Sequence, residues 1–348
     1  MIRRKTFIVG AGASAEFGLP TGTQLVEKIE HFCDLKADRF GQSQSGDKIM
    51  WGAFDILPHP EGQKWNPSGL AHVASKVRQN MGLAPSIDNF LDSKRGELGW
   101  SEVGKLAIAR AILEEERKSK LWFDTSNSYN LPNFANLPPN WLRELFRILV
   151  AQKSNKEFCD ALASCYFITF NYDRVIEHFF HQAIKSYFDL SNEAADEICK
   201  ENLAVFHVYG DLGDVNCVGA AAFGRNGDRH YLVQAASRIL TFTEGAKDQA
   251  QLQIAKTYID KADVVAFVGF GFLPLNLRIL APSNGNHYSK RTVLGTTKGM
   301  SPSNLEIAKN IIPREWYGRE HYSIDFEEVA SSELIWRNSM FLSELDAR

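Results

Sequence analysis

Residues 6–32 read TFIVGAGASAEFGLPTGTQLVEKIEHF. The opening TFIV is a short apolar run of the length of a buried strand. Further on, Leu25, Ile29 and Phe32 recur at helical spacing, with Val26 and Cys33 widening the stripe. Between them Gly10-Ala11-Gly12-Ala13-Ser14-Ala15 fits G-x-G-x-x-A. A glycine turn between strand and helix lets backbone approach a pyrophosphate and aims helix N-terminal N–H groups at it. Gly10, Ala11, Gly12 and Ser14 are therefore candidate dinucleotide contacts, although a tight turn without a ligand would use the same residues. A dehydrogenase needs more: a second strand ending in an acid ~20 positions further on, to hold ribose hydroxyls. Glu30 stands there, but inside the helical run with no strand before it. That disfavours an oxidoreductase.

Outward from this stretch, residues 35–70 are polar and rich in Gly, Pro, Ser and Gln, without clear period. Helical patterns follow at 86–94, 104–122 and 140–152, the last two separated by the Asn/Pro-rich TSNSYNLPNFANLPPN. From 163 the pattern alternates. ASCYFITF reads as a strand running to Asn171, and DRVIEHFFHQAIKSYF as a helix with Asp173 at its N-cap. LAVFHVYG is a strand, AKDQAQLQIAKTYIDKA a helix, and DVVAFVGFGF and RTVLGTT are strands. A helix from 302 and an amphipathic SSELIWRNSMFLSEL close the pattern. Strands alternating with helices predict an α/β, Rossmann-like parallel sheet covered on both faces. The division is 1–34 and 163–348 for the Rossmann domain, with 35–162 as a mainly helical insertion.

Bulk properties narrow the function. Hydrophobic residues make up 44% of the 348 and charged residues 23%, with a net charge of −3. No dense Lys/Arg run marks nucleic-acid binding. No apolar stretch of ~18 residues marks a membrane span. The basic tip and short apolar run of MIRRKTFIVGAGA break at Gly10 and meet Glu16, so the start reads as a first strand of a cytoplasmic protein, not a signal peptide. Cys33, Cys159, Cys165, Cys199 and Cys217 are odd in number and irregularly spaced, which argues against a disulfide framework, and they form no C-x-x-C pair for a four-cysteine zinc site. His178 and His181 read as scattered histidines on a partly exposed helix. No P-loop pattern occurs.

GAGASAEFGLPTG, SIDNFLD, TFNYD, a strand ending in a His/Gly motif, and VGFGF occur in order across roughly 6–300. Together they resemble the sirtuin-like proteins of prokaryotic antiphage defence. The resemblance implies a Rossmann core with an inserted module, and cleavage of NAD+ as a substrate, by deacylation in some members and hydrolysis in defence members. Deacylases of the family carry a zinc on two C-x-x-C pairs. Their absence here points to the NAD+ hydrolase, without zinc. The family has His directly before Gly at the end of one strand; here His207-Val208-Tyr209-Gly210 puts Tyr209 in that place.

The resemblance makes Asn171 the amide that positions a ribose hydroxyl or water. It sets Ser14 and Thr21 against phosphate or ribose, includes Asp173 in the binding set, and brings Gly269 and Gly271 close to the adenosine half. Side chains alternate along a strand, so His207 and Tyr209 are expected to face one pocket, His207 as base and Tyr209 orienting the ribose. An NAD+-cleaving activity harms its host, which implies gating by a homo-oligomer, a separate sensor or partner protein, or both. The alternatives are a catalytically impaired NAD+- or ADP-ribose-binding regulatory subunit, favoured by Tyr209, and a zinc-free deacylase.

Overall fold

In strand β1 (Lys5–Val9) all five residues are buried, Lys5 included. A strand with helices on both faces of its sheet reads as a nearly continuous apolar run, and KTFIV does. The other sheet strands are β2 (Cys165–Thr169), β3 (Ala204–His207), β4 (Val264–Val268), β5 (Arg291–Thr296) and β6 (Tyr322–Glu327). In this computed structural model they form one sheet in the order β3-β2-β1-β4-β5-β6, every neighbouring pair parallel. That is the doubly wound dinucleotide-binding order, whose reversal point lies between β1 and β4. The structure describes residues 3–343 except 60–63, 85, 125–129, 131, 152, 216–221, 248, 282–290, 313–315 and 317–321; Cys217 and part of the Asn/Pro-rich segment thus lie outside the described residues.

Alternation along the central strands divides the core in two. Ile8, Ile168 and Phe267 face helices Gly22–Phe32, Lys48–Ile56, Pro67–Asn80 and Trp100–Lys118. Phe7, Val9 and Phe167 face helices Trp141–Val150, Asn155–Ala163 and Val175–Tyr187. Residues 141–163, inside the sequence span of the insertion, thus share a core with the sheet: Trp141 packs on Phe7 and Phe167 with ring centroids 6.2 and 6.1 Å apart.

Several elements depart from the sequence reading, helices Pro67–Asn80, Asn192–Asn202 and Arg229–Arg238 among them. The aperiodic 35–70 stretch contains helix Lys48–Ile56, held by Asp47, whose Oδ1 accepts from the N–H groups of Ile49 and Met50 at 3.0 and 2.8 Å. Strand β6 was not expected; YSIDFE alternates apolar with polar residues, as suits an edge strand. His178 and His181 are buried rather than partly exposed. His178 stacks on Phe223, and burial lowers its pKa to about 3. Among the described residues no helix is long and apolar enough to cross a membrane, and no cluster of His, Cys, Asp and Glu could hold a metal.

Candidate functional site

The exit of β1 sets the floor of the site. Gly10 caps a single helical turn, Ala11–Ser14; a 3₁₀ turn to Phe17 and a left-handed Gly18 then redirect the chain into helix Gly22–Phe32. This glycine turn lies against the exit of β4. Gly12 N–H donates to the Gly269 carbonyl at 3.0 Å, and Gly269 N–H to Thr296 Oγ1 at 2.8 Å. A Cβ at Gly12 would sit 2.9 Å from the Gly269 oxygen. The glycines at 10, 12 and 269 are thus required by backbone packed on backbone, whether or not a ligand is bound. Bulk at Gly12 probes the fold. Gly271 differs, since a Cβ there meets nothing within 4 Å.

Two clefts flank this crossing, at the carboxyl ends of the strands where such sheets bind ligands. The first, of about 630 Å³, is lined by Ala11, Glu27, Glu30, Asp88, Asn171 and Asp173 among others. The second, of about 600 Å³, is lined by Gly12, Gly269, Thr296, Thr297 and Lys298. Gly271 borders both. Both volumes fall in the range of small-molecule sites. The first has four carboxyl groups and, among its described lining residues, no Lys, Arg or His.

Asn171, just beyond β2, lines the first cleft. Its Nδ2 donates to the Gly10 carbonyl at 3.0 Å and to Ser14 Oγ at 2.9 Å. A carbonyl only accepts, so the amide orientation is fixed with nitrogen toward the turn. Oδ1 is left as an open acceptor on the cleft side. Ser14 donates onward to Asp173 Oδ1 at 3.0 Å. Asp173 also accepts from Val175 N–H at 3.3 Å, so it partly fills the capping role expected of it while lining the cleft. Burial raises its pKa to about 6, opposed by the Ser14 bond. Beneath this loop Arg174 and Glu116, both buried, pair at 2.5 Å and tie it to helix Trp100–Lys118.

His207 and Tyr209 do not meet in the cleft. The strand ends at His207, and the turn through Gly210 (φ 75°) breaks the alternation on which a shared face depended. His207 Nδ1 lies 2.8 Å from the Asn171 main-chain oxygen, and Nε2 lies 2.7 Å from Glu177 Oε1. Both partners accept, so both ring nitrogens carry protons and neither is free as a base. Tyr209 donates to Asn276 Oδ1 at 2.8 Å, and its ring packs edge-on against Phe170. His207 thus supports Asn171 from behind, through its backbone. Thr21 is occupied as well: its N–H and hydroxyl both donate to Gln24 Oε1, at 2.9 and 3.1 Å, at the helix start.

Burial alone would lower the His207 pKa, but the Glu177 carboxylate, helped by Asp211, outweighs it and raises the value from 6.5 to about 9. The folded chain therefore keeps a proton that the unfolded chain loses above 6.5. This contribution to stability is complete below about pH 6.5 and is lost as pH rises through about 9. Urea midpoints are expected to fall across that window, and the slope to flatten in Glu177→Gln. An unchanged slope in the variant would remove the pair as its source.

The sequence reading gave no role to Asp88 or Tyr172, although both stand in the quoted SIDNFLD and TFNYD. The Tyr172 hydroxyl donates to Asp88 Oδ1 across the cleft wall. Burial raises the Asp88 pKa to about 6, opposed by that hydrogen bond. Glu30, set aside above because it lies within a helix, lines the cleft with Thr23, Val26 and Glu27, all on one face at i, i+3, i+4 and i+7. The arrangement offers an open amide acceptor and carboxylates to a polar, electron-poor ligand group, with glycine backbone and a lysine alongside. In comparisons with known proteins, no family model matches the chain and no curated protein matches it.

Proposed function

We propose that the chain is a sirtuin-like, zinc-independent NAD+ glycohydrolase that binds NAD+ across the two clefts and releases nicotinamide and ADP-ribose. In this reading it acts in the cytoplasm as a defence effector gated by self-assembly or a partner protein. The observation that carries the proposal is the open Asn171 Oδ1 in a cleft whose described lining has four carboxyls and no cation. The nicotinamide ring of NAD+ is cationic, and breaking its bond to ribose moves positive charge onto the sugar. Preset carboxylates favour both. The Asn171 oxygen is suited to accept a ribose hydroxyl. The second cleft, with glycine backbone and Lys298, suits phosphates and adenosine. Incubating the full chain with NAD+ at rising protein concentration, and following nicotinamide, tests the activity. Turnover that rises with assembly is expected; NAD+ binding with no nicotinamide at any concentration would overturn it.

That last outcome is what a regulatory binding subunit would give. It is favoured by one observation, the engagement of both His207 nitrogens and of the Tyr209 hydroxyl.

Gly271 gives an independent test of where the ligand lies. Gly271→Trp is expected to weaken NAD+ binding about 100-fold, or about 3 kcal/mol, by filling the seam between the clefts. The melting temperature should stay near wild type, because nothing packs on this position. Unchanged affinity by calorimetry would move the ligand elsewhere.

A further inference from the structure

We propose that Asp88 is the general base, taking the proton of the water that attacks the ribose; this rests on the NAD+ hydrolase reading. The strand end expected to supply a base does not, since both His207 nitrogens are bonded away from the cleft. The candidates are the four carboxyls of the cleft wall. Glu27 and Glu30 lie on the helix that follows the glycine turn, beyond the capping residue Thr21. Asp173 is tied through Oδ1 to both Ser14 and Val175 N–H, holding the loop that carries Asn171. Asp88 comes from helix Ile87–Ser93 and is held by its own backbone N–H and by the hydroxyl of Tyr172, the residue next to Asn171. The Tyr172 bond occupies Oδ1, so the proton is assigned to Oδ2. It also couples the position of the base to that of the amide.

The step balances without a co-reactant. The C1′–N bond breaks, and its electron pair goes to nicotinamide, which leaves neutral. Water oxygen bonds to C1′, and the water proton passes to the Asp88 carboxylate and then to solvent. Tyr172 is a positioning residue; its hydroxyl favours the ionised carboxylate.

The test compares full-length wild type with Asp88→Asn and Tyr172→Phe, measuring nicotinamide release from pH 5 to 9 and NAD+ affinity by calorimetry. Asn keeps an acceptor for Tyr172 and so preserves the wall. Asp88→Asn is expected to bind NAD+ normally, to lose at least about 100-fold in turnover, and to lose the acid limb of the pH profile. Tyr172→Phe should retain activity with its acid limb moved to higher pH, a shift that a merely structural role would not produce. Wild-type release with Asp88→Asn within a few-fold of it would overturn the role of Asp88 and leave the hydrolase standing. Absence of nicotinamide release from wild type would overturn both.

Discussion

Asn171→Ala is expected to lower nicotinamide release at least about 1,000-fold, a barrier increase of about 4 kcal/mol, with NAD+ affinity changed only a few-fold. The Asn171 oxygen is an open acceptor in the first cleft, and its nitrogen holds that oxygen in place by gripping Gly10 and Ser14. A group held from behind by two hydrogen bonds does not reorganise as the reaction proceeds, and such preorganisation is where large rate effects arise. The substitution also removes the bonds from Nδ2 to the Gly10 carbonyl and Ser14 Oγ, so stability should fall by about 1–3 kcal/mol. Rate and stability must therefore be measured together, by nicotinamide release and urea unfolding. A folded variant with more than a tenth of wild-type turnover would remove Asn171 from the chemistry.

Gly269→Ala should be severely destabilising. Gly269 has φ 56°, and a Cβ there would lie 1.9 Å from Ala13 N. The left-handed backbone alone costs Ala about 1–2 kcal/mol. The overlap is with backbone and cannot be relieved by a rotamer change, so the β1 and β4 exits must part. A total loss above about 4 kcal/mol, or failure to fold, is expected. Gly271→Ala, two residues on, should stay within about 0.5 kcal/mol of wild type. Soluble yield and denaturation midpoints of the pair check this; a Gly269→Ala protein as stable as Gly271→Ala would contradict the contact.

The central sheet was legible because β1, β2, β4 and β5 are short apolar runs bounded by glycine or polar residues, and burial on both faces imposes that pattern. Edge strand β6 was not, since YSIDFE needs no such run. Helix Lys48–Ile56 was hidden by polar neighbours that dilute its apolar stripe. In the site, Asn171 could be placed because residues at the carboxyl end of a parallel strand reach the ligand edge of the sheet. His207 and Tyr209 misled because a period of two holds only while the strand lasts, and nothing in HVYG says that it ends at His207. The Asp88–Tyr172 bond joins residues 84 positions apart, and no local spacing encodes it.

Because Gly271 belongs to both clefts, they have one wall in common. That wall hangs from the Gly12–Gly269 contact, a junction too tight to stretch on one side alone. On the proposed reading, in which NAD+ spans both clefts, their occupants are expected to be thermodynamically linked. Whatever factor a nucleotide on the Lys298 side imposes on affinity at the Asn171 side, nicotinamide there must return to the nucleotide in equal measure. On that reading the junction would make two small neighbouring cavities one cooperative receptor for the two ends of a single molecule.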